Sequence, residues 1–383
     1  MPGDVIVAAS EDGRSLEGYL AVPEAGSGPG VVLLVEGSAN DPGFRQLGDL
    51  YAAEGYVALC TIADGSNEDV AATIATLRRR RECTGKVAAI GFEPGGVAAL
   101  RAAADKRVEC AIFYSPPAIE QALELVPRIA CPVVLHVAGN DPAAPPAAVE
   151  KLKQAVAGHP EASLYVYLGT APGFERKRGG PAEKAAAGLA HSRSIALLRR
   201  VMGPHYDLEA LWEAHTRYEF ETRDVDATMA TMVGDPYVNH VPVMTGGVGQ
   251  RDLARFYANH FIPTCPADIA MVPVSRTIGA DRVVDEMVVS FTHDREIDWM
   301  LPGVAPTGRR VEVPLVAVVG FRGNKLYHEH IYWDQASVLV QIGLLDPSGL
   351  PVAGAETAHK LLDETLPSNT LMKRWAESAI GDS

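Results

Sequence analysis

The chain of 383 residues is long enough for two full hydrophobic cores, carries a formal net charge of −14, and has the composition of an ordinary globular protein. The acidic balance argues against nucleic acid and anionic membranes as partners, since both attract basic surfaces, and no run of about eighteen apolar residues marks a membrane span. Five cysteines without CxxC spacing read as reduced, buried thiols, and Met1-Pro2-Gly3-Asp4 opens without a signal-peptide pattern, which together imply a cytoplasmic protein.

In chain order, strands are expected over 18–22, 30–35 and 56–60, with amphipathic helices over 44–54 and 70–81. A short buried strand over 86–90 leads into a helix over 97–104. Apolar strands over 108–114, 133–138 and 162–167 alternate with helices over 147–157 and 182–201. Such alternation implies a mostly parallel sheet with helices on both faces. The pattern changes at about residues 202–207. Helices over 208–221, 227–232 and 251–261 precede strands over 269–278, 282–294, 310–321 and 325–334, an α+β arrangement with a strongly bent antiparallel sheet. A helix over 356–362 lies in a Pro/Gly-interrupted tail. The expected units are 1–203 and 204–350, with a C-terminal extension over 351–383.

Residues Gly91-Phe92-Glu93-Pro94-Gly95-Gly96 lie between the strand over 86–90 and the helix that follows. A strand, a Gly-x-Nuc-x-Gly turn and a helix form the nucleophile elbow of α/β-hydrolases, whose glycines permit a sharp turn and close helix approach. The apex residue here is Glu93, where a Ser or Cys would stand.

Several ordered landmarks resemble the dienelactone hydrolase (carboxymethylenebutenolidase) family of α/β-hydrolases over residues 5–200. They are Leu16 to Pro23, Val31 to Gly37, Gly55 to Cys60, the elbow, Val137-Ala138-Gly139-Asn140-Asp141, and Tyr167 to Phe174. The resemblance implies an active-site glutamate at Glu36 and the family's acid at Asp141. It also implies that Glu93 stands in place of the cysteine and Pro172 in place of the histidine. Acyl transfer needs a nucleophile and a base that exchanges a proton near neutral pH, and these substitutions remove both. Three readings of Glu93 stay open: part of a scaffold or binding pocket, an acid–base pair with Glu36, or a carboxylate nucleophile. His136 reads as a core residue, and His159 and His191 as solvated.

Residues 208–346 resemble the SnoaL-like polyketide cyclases of the ketosteroid isomerase superfamily. The similarity rests on Tyr237 to Pro242 with Gly246-Gly247-Val248-Gly249, on Thr292-His293-Asp294 with Pro306 to Val313, and on Lys325 to Asp334 with Leu339 to Gly343. It implies a sheet wrapped round helices into a cone whose open end takes a small apolar ligand, and pairing into a homodimer.

Strand parity places Leu326, His328, His330, Tyr332 and Asp334 on one face, the face the resemblance turns into the cone. Asp334 and His330 are accordingly the expected proton-transfer pair. His240, His293, His328, Arg276 and Trp299, together with Asp141 of the first unit, are candidate substrate contacts. An i, i+2 histidine pair is a weak metal constellation, and no phosphate-binding glycine loop is present, so neither a metal nor a cofactor is expected. The expected function is general acid–base chemistry, by isomerisation, cyclisation or water addition, on a small apolar carbonyl, enol or lactone compound. The alternatives are ester or lactone hydrolysis around Glu93 and a non-catalytic ligand-binding or assembly role.

Overall fold

The computed structural model describes residues 4–9, 15–36, 41–62, 67–115, 119–176 and 180–378. The chain divides into two compact units, Met1–Tyr206 and Asp207–Ser383. Among the described residues no helix is long and apolar enough to cross a membrane.

In the first unit the elements are β1 (Asp4–Ala9), β2 (Ser15–Ala21), β3 (Gly28–Val35), α1 (Pro42–Ala53), β4 (Val57–Ile62), α2 (Asn67–Arg79), β5 (Cys83–Phe92), α3 (Pro94–Ala104), β6 (Ala111–Tyr114), α4 (Ile119–Leu125), β7 (Val133–Ala138), α5 (Pro146–Ala157), β8 (Ala162–Tyr167) and α6 (Pro181–Met202). The eight strands run in the order β1-β2-β4-β3-β5-β6-β7-β8. β2 pairs antiparallel with β1 and β4, and the pairings from β4 to β8 are parallel. This is an α/β-hydrolase sheet. Its central strands are apolar on both faces because both are covered. Val32 and Leu34 of β3 pack with Ile74, Leu100 and Leu152 from α2, α3 and α5. Val31, Leu33 and Val35 pack on the other side with Tyr51 of α1 and Ile195 and Leu198 of α6. Each fully buried Leu or Ile side chain contributes about 1.5–3 kcal/mol relative to exposure.

Glu54, just after α1, is 1% exposed. Its Oε2 accepts a 2.7 Å bond from Arg199 Nη2, and its Oε1 lies 3.2 Å from His191 Nε2. His191 is therefore partnered and largely covered, not solvated as its sequence position suggested.

The second unit contains α7 (Leu208–Phe220), α8 (Val225–Ala230), β9 (Met232–His240), β10 (Thr245–Val248), α9 (Gly249–Phe256), β11 (Ala270–Ile278), β12 (Arg282–Thr292), β13 (Arg310–Arg322), β14 (Lys325–Trp333), α10 (Gln335–Ile342) and α11 (Glu356–Leu362). Asp207 and Asp224 cap α7 and α8 by accepting from Ala210 N and Ala227 N, so each helix begins where a short acid can satisfy an unpaired N–H. α8 ends two residues earlier than its apolar run suggested, because Met232 already belongs to β9. A π turn over Tyr257–Phe261 continues α9. The six strands run β10-β9-β14-β13-β12-β11, with β14 and β9 parallel and the other neighbours antiparallel.

The register contains a break that matters for function. Gly320 of β13 pairs with His328 and Phe321 with Leu326, which leaves Tyr327 as an extra residue in β14. The His328 ring lies where a Cβ on residue 320 would be, so the bulge needs glycine there. An extra residue reverses the alternation of faces. Leu326 is buried before the bulge; after it, Glu329, Ile331 and Trp333 are buried.

Candidate functional site

The elbow of the first unit keeps its geometry. Glu93 has φ 54 and ψ −121, in a region that costs a non-glycine residue of order 1–3 kcal/mol. The turn around it is closed by glycines: a Cβ at Gly91 would meet the Gly95 carbonyl, one at Gly95 would meet Leu34 O, and one at Gly96 the Phe113 ring. Arg176 Nη2 stands 3.5 Å from Glu93 Oε1, and Arg176 Nε stands 3.4 Å from Glu175 Oε1. The Glu175 side chain is buried, 5% exposed. Burial raises its carboxyl to about 7, against the pull of Arg176 and with a further push from Glu93.

Glu36 is exposed beyond the end of β3, and the described residues show no contact between it and Glu93. The carboxylate beside Glu93 is Glu175 instead. Asp141 is buried, and its Oδ1 accepts from Ala143 N at 2.8 Å, bracing its own turn. Pro172 lies exposed in the next loop. His136 is a core residue: Nδ1 contacts Tyr167 Oη at 2.9 Å and Nε2 contacts Ser194 Oγ at 3.0 Å, and burial lowers its pKa to about 3.

The second unit holds a partly open cavity of about 50 Å³. Its wall is mostly aromatic and aliphatic, with Trp212, Phe220, Phe261, Met287 and Trp299 prominent, and its polar groups come from Thr216, Glu219, His240, Tyr257 and Glu329. His215 and Glu219 are four residues apart and therefore share one face of α7. Glu329 reaches the same point from β14. His215 Nε2 lies 3.1 Å from Glu219 Oε1 and 3.2 Å from Glu329 Oε1, and all three residues are buried. Burial by itself would lower the His215 pKa, but the two carboxylates outweigh it and raise the ring to about 10. Burial likewise raises Glu219, with His215 opposing. Tyr257 begins the π turn, a local distortion common at functional sites. Burial and then the charges of Glu329 and Glu219 raise its hydroxyl, which lies beside both carboxylates.

His240 forms another part of the wall. Its ring packs among Phe256, Phe261, Trp299 and Trp333 at 5.2–5.9 Å between centroids. Nδ1 donates to Thr245 O at 3.3 Å, and burial lowers the ring to about 4, so it is neutral with Nε2 as its acceptor. Trp299 closes the cavity beside it.

Other expected site residues lie elsewhere. Asp334 is exposed and caps α10, accepting from Ala336 N at 3.0 Å. His328 and His330 are only partly buried and occupy the face opposite Glu329 and Ile331; the bulge at Tyr327 corrects the parity that turned them inward. His293 is buried in the β12–β13 connection with Nδ1 on Thr307 Oγ1 at 3.1 Å, and does not line the cavity. Arg276 makes a two-point contact with Asp285 at 2.8 and 3.2 Å and also meets Glu209 and Glu213, a charge network on β11, β12 and α7. Of the expected contacts, His240 and Trp299 reach the cavity. The missed residues are His215, Glu219, Tyr257 and Glu329. The His-x-x-x-Glu spacing on the helix over 208–221 was a usable signal for the first two.

Residues 62–202 match the dienelactone hydrolase family. Over those residues the chain carries a dienelactone hydrolase family domain. A carboxymethylenebutenolidase-like protein of Azospirillum brasilense is 27% identical over 231 residues, covering 52% of this chain and 99% of that protein. A carboxymethylenebutenolidase of Pseudomonas putida is 23% identical over 219 residues, covering 49% of this chain and 93% of that protein. Among solved structures, a dienelactone hydrolase homologue of Klebsiella pneumoniae is 18% identical with a TM-score of 0.45, covering 51% of this chain and 99% of that one. An esterase of Pyrococcus furiosus is 18% identical with a TM-score of 0.43, covering 52% and 91%. The matched residues 62–202 lie in the first unit, and the second unit lies outside them.

Proposed function

We propose that the second unit is a SnoaL-like domain and the working site of the protein. It takes a small apolar compound with a carbonyl, enol or lactone group into its cavity and moves a proton on it. The observation that carries this reading is the gathering of buried polar groups, Glu219, Glu329, Tyr257 and His240, in an otherwise apolar enclosure, the usual composition of a small-ligand site. His240 is the proton acceptor. With Nδ1–H held by Thr245 O, its Nε2 takes the proton from the carbon next to the carbonyl. The C–H bond breaks, its electrons pass to the carbonyl oxygen, and the Tyr257 hydroxyl donates to the enolate so formed. Where the enolate is conjugated with a C=C bond, return of the proton from Nε2 to the far carbon completes an isomerisation; where it attacks a second carbonyl of the same molecule, the new alkoxide takes the proton from Nε2 and a cyclisation is complete. Pairing as a homodimer and a cytoplasmic location belong to the same proposal.

The test is exchange of ligand α-protons in D₂O, followed by NMR with cyclic ketones and lactones that raise the melting temperature of the wild type. Exchange should be lost in His240→Gln and kept in Glu93→Gln. The reverse pattern sinks the proposal.

A second reading is favoured by one observation, the strained apex at Glu93 beside a carboxyl held near neutrality at Glu175. Glu93 would act as base toward water, and Glu175 as proton donor, in hydrolysis of an ester or lactone. Turnover of p-nitrophenyl esters that disappears in both Glu93→Gln and Glu175→Gln would support it.

A further inference from the structure

Four polar groups from three elements meet at one point in the second unit: His215 and Glu219 from α7, Tyr257 from the π turn, and Glu329 from β14. The hydrogen on the His215 ring can be placed by elimination. Thr231 Oγ1 lies 2.6 Å from the Thr228 carbonyl and 2.6 Å from His215 Nδ1. A hydroxyl has one hydrogen, and a carbonyl can only accept, so that hydrogen goes to Thr228 O. Thr231 therefore accepts at its other contact, and His215 Nδ1 carries a hydrogen. The remaining nitrogen, Nε2, faces Glu219 Oε1 and Glu329 Oε1.

With a neutral ring, the Nε2 lone pair and two carboxylates converge where almost no water reaches. Two buried negative charges without a counter-charge are costly, so the point takes up either protons or a metal cation. One proton on Nε2 leaves a net charge of −1. It is directed to Glu219, while Glu329 Oε1, 3.2 Å from the same nitrogen, remains without a hydrogen bond among the described residues. A divalent cation neutralises both carboxylates and uses the Nε2 lone pair. Bonds of about 2.0–2.2 Å to a four-coordinate ion place neighbouring ligand atoms about 3.3–3.6 Å apart. The observed separations from Nε2 are 3.1 and 3.2 Å, and all three ligand atoms lie within 4.8 Å of one another.

We propose that His215 Nε2, Glu219 and Glu329 ligate a first-row divalent cation, with the Tyr257 hydroxyl beside it and Thr231 orienting the histidine from behind. A ring N–H held by an outer partner is the usual support of a metal-binding histidine. The mixed nitrogen and carboxylate set suits zinc, manganese or iron(II). Because Glu219, Glu329 and Tyr257 line the cavity, the ion's free position faces it. The ion would polarise a carbonyl there and supply the positive charge that an enolate beside two carboxylates lacks. This deepens the reading of the cavity as the working site and rests on it. Metal binding displaces the proton from Nε2, so uptake should release protons and weaken at acid pH.

The experiment uses the full chain, purified without a metal-affinity tag. Metal content is read by mass spectrometry before and after EDTA treatment, and the stripped protein is then titrated calorimetrically with Zn²⁺ and with Mn²⁺. The expected result is one tight site per chain and a melting temperature raised by the ion. Affinity should fall more than about 100-fold in His215→Ala and in Glu329→Gln, and about 10- to 100-fold in Thr231→Val. The doubly substituted His328→Gln, His330→Gln protein, altered on the opposite face of the same strand, should bind as the wild type does. Absence of stoichiometric uptake by the stripped wild type overturns the proposal without recourse to any variant. So does uptake that survives in folded Glu329→Gln, or that is lost in the His328, His330 variant. If His215→Ala does not fold, the Thr231→Val titration decides, and unchanged affinity there counts against the site. Metal uptake without stabilisation by any carbonyl ligand would keep the ion and sink the carbonyl reading.

Discussion

Both units bury carboxylates, and they treat them in opposite ways. In the first, Glu54 is closed off: Arg199 and His191 reach its two oxygens. In the second, Glu219 and Glu329 share one imidazole and leave a carboxylate oxygen unsatisfied at the wall of a cavity. A closed set is complete as folded, whereas an open set leaves room for something that completes it. The elbow lies between these cases. Arg176 is shared between Glu93 and Glu175, and the deeper carboxyl is held near neutrality by its surroundings.

The largest effect should come from breaking the closed set. Arg199→Met removes the cation from Glu54 and should cost about 3–5 kcal/mol of stability, read by chemical denaturation. A much smaller loss would erase the contrast with the second unit. Next is the neutral, buried His136. Its folded-state pKa of about 3 lies below the ordinary 6.5, so the unfolded chain takes up a proton first. Its contribution is whole above pH 6.5 and is lost as pH falls toward 3, by up to about 4 kcal/mol. His136→Gln should flatten that part of the profile. Glu175 has the opposite sign. Its raised pKa means that it favours the fold below pH 4.5 and loses that contribution as pH rises through about 7. Glu175→Gln should therefore stabilise the protein by about 1–3 kcal/mol at pH 8 relative to wild type, with little gain at pH 4. A pH-independent gain would mean that charge at the elbow is not the cause. The smallest effect is at Asp334. Removal of the α10 cap in Asp334→Ala should cost about 1 kcal/mol and leave ligand binding in the cavity unchanged.

The first unit was readable because strands covered on both faces are unbroken apolar runs, and residues 31–35 and 87–90 have no alternative use. The elbow was readable because its glycines are demanded by backbone contacts that no side chain could replace. The cavity was only half readable. His215 and Glu219 share a helix face by spacing alone, but nothing local announces that Glu329 meets them. That meeting depends on the extra residue at Tyr327, and a bulge is a relation between strands rather than a property of one. The same extra residue turned His328 and His330 outward. Asp334 illustrates a different limit: a carboxylate just before a helix serves its end as readily as a pocket, and here it serves the helix.

The bulge also has a historical consequence. β14 carries two chemistries on one short stretch, imidazoles on one face and a carboxylate on the other, and a single inserted or deleted residue chooses between them. Loss of Tyr327 would leave every other letter of the strand in order while exchanging what the cavity sees. Descent by insertion and deletion at this point can therefore change the chemistry offered to a ligand in one step, faster than substitution could. Relatives compared letter by letter would show no change in the histidines or the glutamate.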